Sequence, residues 1–454
     1  VQFLVVVIHE AHMSHLDATS LGVSPLDRAH AARLAGSSDA ALQLAASILT
    51  AAPGDLGAAW LVARLLADAG RVDSASAAAF ELVSRFTRRG DLASACLAAQ
   101  LAGETGADVT GLARSIAEAF GRGSPRLAKV SPAPPALPGS ADVAPFFSKL
   151  QGPALHDAAE KALARTLGPK DRVADGPVPK LPLFSDLTPP LLQKLLLTFE
   201  LREFAAADSV VRQGDEGTEA FLLARGVLNV VRDRPEGMVV LAVLGPGAFF
   251  GEMALVGNAP RAASVVAVEP AHVFAAPRAA LESLSAREPS IGRALGEFCN
   301  RRMIDNLVRH SSILSAVEPA RRAELIARFT PKTFPKAAVM VREGQESERL
   351  FLIASGGVQV RGTDAEGDTV VLAQLGPGDV VGEISLVLRR PATADVVAVH
   401  TTTVLELTRE QFQEAIRAHP GLLQELYELA IKRDDETRTV VAQVAVDVSD
   451  VVLL

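Results

Sequence analysis

Cysteine is nearly missing from this chain. Cys96 and Cys299 are the only two among 454 residues, too few and too far apart to make a disulfide framework. A reducing, cytoplasmic setting is therefore expected, since the front of the chain also lacks the basic flank of a secretory signal. Long apolar runs are absent too. The opening VQFLVVVI is far too short to span a bilayer, and no membrane association is expected. Positive charge is in deficit, with 45 Lys and Arg against 53 Asp and Glu. A net charge of −8 offers no general attraction to nucleic acid. Catalytic signatures are missing as well: no G-x-S-x-G elbow, kinase set, P-loop or H-E-x-x-H. A non-enzymatic protein without catalytic residues or cofactor is expected. His9, His12 and His15 imitate a metal cluster, but no other ligands accompany them, so no metal site is assigned. Tryptophan occurs once, at Trp60, and reads as core packing.

What is present is a high hydrophobic content of 49%, enough for real cores, in a length suited to about three domains. Residues 1–20 form an uncertain leader, in which VQFLVVVIHEAH precedes Met13 and MSHLDATS reads as the more natural start. Residues 21–122 are rich in alanine and leucine and favour helix. Gly36 and Asp39 recur at the same offset as Gly70 and Asp73. Helix pairs with a period of about 34 residues resemble tetratricopeptide repeats, although the bulky consensus aromatics are mostly missing and the next unit, at Gly90, starts early. A plain helical bundle is the alternative. Residues 123–180 form a proline-rich linker with one short helix over 154–166, which predicts a helical module mobile relative to the rest of the chain.

Beyond residue 181 the pattern changes to short apolar runs divided by glycine turns, as over 209–212, 220–224, 227–231 and 239–244. That rhythm argues a small antiparallel barrel or jelly roll. Within it stands FFGEMALVGNAPRAASV, residues 249–265. A carboxylate at Glu252 is suited to accept a hydrogen bond from a sugar hydroxyl. A guanidinium at Arg261 suits bidentate grip on phosphate oxygens. Gly251 admits close backbone approach, and the small residues Ala254, Ala262 and Ala263 leave N–H groups open to an anion.

This segment resembles the phosphate-binding cassette of the cyclic-nucleotide-binding domain family, which includes the bacterial catabolite activator and the regulatory subunits of cAMP-dependent kinase. The resemblance implies a β-roll flanked by helices. It implies that Glu252 holds the ribose 2′-hydroxyl and Arg261 the cyclic phosphate. Gly251, Met253, Ala254 and Ala262 would complete the cradle, and Ser264 would add a donor or close the turn. Relatives that favour cGMP often carry Thr after the arginine. Ala262 stands there, so cAMP is expected to bind better than cGMP. The helix over 291–309 would close as a lid, with Met303 and Leu307 either capping the purine or serving the core.

The unit occurs twice. Gly214, Phe221 and Gly226 match Gly344, Phe351 and Gly356, and Gly251–Glu252 match Gly382–Glu383. Each copy has roughly 130 residues, an ordinary domain size. We place domain A at 181–309, domain B at 310–435, and a valine-rich tail at 436–454 that reads as a strand or a partner contact. Domain B departs where charge matters: Arg261 corresponds to Ala392, and Ser264 to Asp395. Losing the cation and gaining an anion predicts a degenerate site that binds cyclic nucleotide poorly, with Gly382 and Glu383 retaining a ribose contact. Arg389 or Arg390 reaching into the site is the conceivable rescue.

The expected fold class is thus multidomain α + β: an all-α helical-hairpin module followed by two jelly-roll-like domains with flanking helices. The expected function is that of a cytoplasmic cyclic-nucleotide receptor, coupling ligand in domain A to protein partners held by the helical repeats. The alternatives are an assembly scaffold with two inert rolls, or a regulatory subunit of a separate enzyme. A DNA-binding regulator is disfavoured, because only about twenty residues follow Asp434, too few for a winged helix.

Overall fold

The computed structural model describes residues 24–128, 146–168, 176–234, 237–255, 260–363 and 369–451. The His9, His12 and His15 cluster and most of the proline-rich stretch lie outside them. The chain divides into two compact units. One comprises residues up to 252 together with 263–295; the other comprises 253–262 together with the chain from 296 onward.

The first unit begins with six helices: α1 (Pro25–Leu34), α2 (Ser38–Ala51), α3 (Leu56–Asp68), α4 (Val72–Arg89), α5 (Leu92–Glu104) and α6 (Val109–Phe120). Each packs on the next in sequence. The starts of α2 and α4 carry the expected offset, each preceded by a glycine with positive φ, Gly36 and Gly70. Asp55, Asp91 and Asp108 cap α3, α5 and α6 by accepting hydrogen bonds from backbone N–H groups in the first turn. Trp60 is buried, as expected of a core residue, and donates to the Leu97 carbonyl at 3.3 Å.

The short helix in the linker is real and slightly longer than expected, α7 (Gly152–Leu167). It is docked on the helical module. Arg85 donates to the carbonyls of Thr166, Leu167 and Gly168, Asp39 accepts from the Gly152 N–H, and Arg71 pairs with Asp157 at 2.8 Å. Arg126 likewise ties its segment to the carbonyls of Thr87, Arg88 and Gly176. A semi-rigid spacer was expected from proline content. These long-range bonds, invisible to local composition, fix its described parts instead.

After α8 (Pro189–Leu196) comes the first roll: β1 (Glu200–Phe204), β2 (Ser209–Val211), β3 (Glu219–Arg225), β4 (Leu228–Arg234), β5 (Gly237–Leu244), β6 (Phe249–Phe250), β7 (Ser264–Ala267) and β8 (Ala271–Pro277). Two antiparallel four-stranded sheets result, in the orders β1-β8-β3-β6 and β2-β7-β4-β5. Their inner faces enclose Phe221, Leu223, Leu244, Phe250, Val265 and Val273, with Phe221 and Phe250 stacked at 5.2 Å. Helices α9 (Arg278–Arg287) and α10 (Pro289–His310) follow.

The helical module is joined to this roll by a buried polar cluster rather than tethered loosely. Arg225 on β3 pairs with Asp27 on α1 and donates to the Pro270 carbonyl at 2.6 Å. Arg33 pairs with Glu203 on β1, whose carboxylate also lies 3.1 Å from His272 Nε2. The His272 ring meets Trp60 and His30 edge-on at 4.9 and 5.1 Å. The expectation of a mobile module is therefore corrected.

In the second unit, α11 (Ser312–Ser315) and α12 (Arg322–Ile326) precede β9 (Thr330–Phe334), β10 (Val339–Val341), β11 (Arg349–Ser355), β12 (Val358–Thr363), β13 (Thr369–Leu375), β14 (Val380–Val381), β15 (Asp395–Ala398) and β16 (Thr402–Thr408). The sheet orders β14-β11-β16-β9 and β10-β15-β12-β13 repeat the first roll strand for strand. Helices α13 (Glu383–Val387), α14 (Arg409–Ala418) and α15 (Pro420–Val451) complete it. The valine-rich segment, for which a strand was one of two readings, continues α15 as far as Val451. Valine's handicap in a helix is only about 0.7 kcal/mol per residue or less, and an established helix adds residues without a new nucleation cost.

Candidate functional site

Each roll presents a cassette after its sixth strand. In the first, Gly251 takes φ +75° and Glu252 opens a short 3-10 turn over Glu252–Leu255. The Glu252 side chain is only 3% exposed. Met253 packs on the apolar cluster that contains Met303, Leu307, Leu314 and Leu422. Met303 and Leu307 are thus core residues among the described contacts. Arg261 is half-buried and Ala262 exposed. The side chain of Ala254 lies outside the description. Glu252 and Ser264 fall in the first unit, Arg261 and Ala262 in the second.

Ser264 closes a turn. Its Oγ accepts the Gln213 N–H at 2.9 Å, pinning β7 to the loop after β2. In the second roll Asp395 does the same, Oδ1 accepting the Glu343 N–H at 2.7 Å. The two residues are therefore structural equivalents. Asp395 was read from sequence as an anion facing the phosphate. Its carboxylate instead holds a backbone turn, and it does not line the cavity around the second cassette. The sequence alignment was right, but residue type alone did not disclose direction.

The second cassette surrounds a cavity of ≈ 160 Å³. Gly382 sits at φ +88°, and a Cβ there would lie 2.3 Å from the Arg349 carbonyl oxygen. Only glycine fits, and this fixes the approach of Glu383. Glu383 is 3% exposed and accepts a 2.9 Å bond from Arg433, which reaches in from α15 and also donates to the Val380 carbonyl. Ala392, where the first copy has arginine, is bonded into the loop through both backbone groups: its N–H to the Gln345 carbonyl and its carbonyl to the Gly344 N–H. Arg390 pairs with buried Asp434 at 3.3 Å, and neither it nor Arg389 lines the cavity, so the rescue conceived for this site is not made.

Arg433 was not foreseen. A signal existed: Leu422, Leu426 and Ala430 form the buried stripe of α15, and the next turn of that stripe brings Arg433 and buried Asp434. Charges on a buried helical face call for partners.

Two eight-stranded rolls, each with a positive-φ glycine followed by a buried glutamate, define a pair of ligand-pocket domains. The profile of the cyclic nucleotide-binding domain matches residues 201–288 and 331–419, so the chain carries two domains of that family. Curated relatives are regulatory subunits of cAMP-dependent protein kinase. That of Yarrowia lipolytica is 28% identical over 234 residues, covering 52% of this chain and 58% of the relative. That of Dictyostelium discoideum is 29% identical over 213 residues, covering 46% and 63%. The matched region thus spans about six-tenths of those relatives' length. Among solved structures, the cAMP-bound regulatory domain of Toxoplasma gondii PKA is 24% identical and covers 56% of this chain and 92% of that one, with a TM-score of 0.27. Among the described residues no helix is long and apolar enough to cross a membrane.

Proposed function

We propose that this chain is a cytoplasmic receptor for a cyclic nucleotide, with cAMP preferred over cGMP, that regulates a separate protein partner. The supporting observation is the intact first cassette. A buried Glu252 follows the positive-φ Gly251 inside a matched cyclic nucleotide-binding domain, and Arg261 with Ala262 completes the sequence pattern. In this reading Glu252 accepts the ribose hydroxyl, Arg261 grips the phosphate, and the ligand acts through its different affinity for two conformations of the chain. The curated relatives' names point to a kinase as the class of partner. The six N-terminal helices, docked on the first roll, are the element through which binding in that roll would be felt by a partner protein. Calorimetric titration of the full chain with cAMP and cGMP tests the reading. Tighter binding of cGMP would overturn the preference, and a partner pulldown indifferent to cAMP would favour a scaffold.

A further inference from the structure

Helix α7 packs on helices that are not its neighbours in sequence. It lies across α2, α3 and α4, while α5, α6 and residues 121–151 intervene in the chain. The module grips it at both ends. At its start, Asp39 Oδ2 accepts the Gly152 N–H at 3.1 Å, and Gln43 donates to the Leu150 carbonyl at 2.8 Å. At its close, Arg85 donates to the carbonyls of Thr166, Leu167 and Gly168 at 2.8, 2.9 and 3.1 Å. The Gly152 N–H and the Thr166 and Leu167 carbonyls are among the groups that a helix leaves unsatisfied at its ends. An acid at the amino end and a guanidinium at the carboxyl end also suit the helix dipole. All these bonds go to backbone. They specify a helix of 16 residues, about 24 Å long, rather than particular side chains.

Between its ends α7 buries one stripe: Leu155, Ala159, Ala162, Leu163 and Thr166, spaced as on an amphipathic helix. The fit is imperfect. Thr166 is 1% exposed, and its Oγ1 finds no hydrogen-bond partner among the described residues. A buried hydroxyl left unmet is costly. Ala159 and Ala162 bury little apolar area for their places in the stripe. The Arg71–Asp157 pair joins side chains 37% and 56% exposed and adds little. Another helix of this length and stripe would fill the groove better.

We propose that α7 is a tethered stand-in, and that the groove on α2, α3 and α4 is a docking site for an amphipathic helix of a partner protein. The helix it fits carries leucines in the register of Leu155 and Leu163, small residues between them, an aliphatic residue where α7 has Thr166, and acid facing Arg71. Its entry displaces α7 and leaves the other module helices in place. The site stands independently of the nucleotide reading of the first roll, and its test uses no nucleotide.

The test is fluorescence anisotropy with a labelled synthetic peptide of residues 150–168. Leu155→Asp with Leu163→Asp, made in the full chain, frees the groove by unseating the tethered helix. The freed chain is expected to bind one peptide at least tenfold more tightly than the unaltered chain, where α7 competes at high effective concentration. A Thr166→Val peptide should bind several-fold more tightly than the parent, and Arg85→Ala in the freed chain should weaken both several-fold. A peptide of the same composition with its leucines on opposite faces should not bind. A second measurement needs no substitution in the chain: saturating isotope-labelled Thr166→Val peptide should speed amide hydrogen exchange in α7 of the unaltered protein. No binding by the freed chain, equal affinity for the rearranged peptide, or unchanged exchange in α7 would overturn the proposal. So would a loss of helical circular dichroism beyond α7's own share on freeing the groove, which would make α7 part of the module's core. Dimers between freed and unaltered chains in sedimentation would overturn it as well, by assigning the groove to a second copy.

Discussion

Replacing Arg225 by Met should uncouple the helical module from the first roll. Arg225 and Asp27 have side chains 15% and 9% exposed, so their ion pair is buried enough to escape most solvent screening. Removing one partner of such a pair costs about 3–5 kcal/mol, because the remaining charge stays buried. The Asp27 carboxylate still accepts from the Ser24 hydroxyl, which places the expected loss near the lower bound, about 3 kcal/mol. The Pro270 carbonyl loses a donor as well. Glu269 adds to the effect. Burial, and then Asp27, push its carboxyl up to about 7 while Arg225 opposes them, so without the guanidinium the cluster becomes more crowded with acid. At about 2–4 °C per kcal/mol, the first unit should melt roughly 6–12 °C lower. Asp27→Asn combined with Arg225→Met should recover part of the loss, with a coupling of about 1.5–3 kcal/mol in a double-mutant cycle followed by circular dichroism and urea unfolding. If Arg225→Met shifts the first unit by under about 1 kcal/mol, or the two substitutions simply add, the cluster does not hold the module to the roll.

Other outcomes rest on the same geometry. His30 and His272 are both buried, burial being the main reason their imidazoles are held below the usual value of 6.5. Such groups stabilise the fold above the unfolded pKa and lose that contribution as pH falls below it. Glu269, raised to about 7, works in the opposite sense between about 4.5 and 7. Two histidines against one carboxyl leave a net loss of up to about 1.4 kcal/mol per pH unit on acidification through the sixes, measurable by urea unfolding from pH 7.5 to 5.5 and flattened by His30→Phe. Glu203, held down to about 2 by its hydrogen bonds with His272 and Arg33 against the effect of burial, adds stability that persists above pH 4.5 and is lost only below it. Gly382→Ala should destabilise the second roll by about 1–3 kcal/mol or more, since the backbone is left-handed there and the methyl collides with a carbonyl. A neutral melt would mean that the loop has another conformation. Asp395→Ala should cost about 1 kcal/mol through the lost turn bond, whereas Asp395→Ser, restoring the residue of the first roll, should recover it in thermal melts.

The rolls were largely legible in the sequence because their signals are local. The glycines at 251 and 382 occupy backbone conformations that side chains resist, and they mark both copies at once. The glycine turns bound strands within a few residues of their observed limits, as with Glu219–Arg225 and Gly237–Leu244. The cassette residues Gly382, Glu383 and Ala392 do converge on one cavity. What escaped was non-local. The Asp27–Arg225 pair joins positions 198 residues apart with no local mark on either, and Arg433 meets Glu383 across 50, marked only by its place on the buried stripe of α15. Asp395 was misjudged because its charge, not the direction of its carboxylate, is what the sequence displays. The strand alternative for the tail failed because β propensity is weaker than the continuation of a helix already formed.

The most direct test of the central claim is calorimetric titration of the full chain with cAMP, with and without Arg261→Ala. The account predicts one cAMP per chain in the unaltered protein, and a loss of affinity of about tenfold or more in the variant at unchanged melting temperature. Equal affinity in the two proteins, or two equivalent cAMP sites per chain, would contradict it.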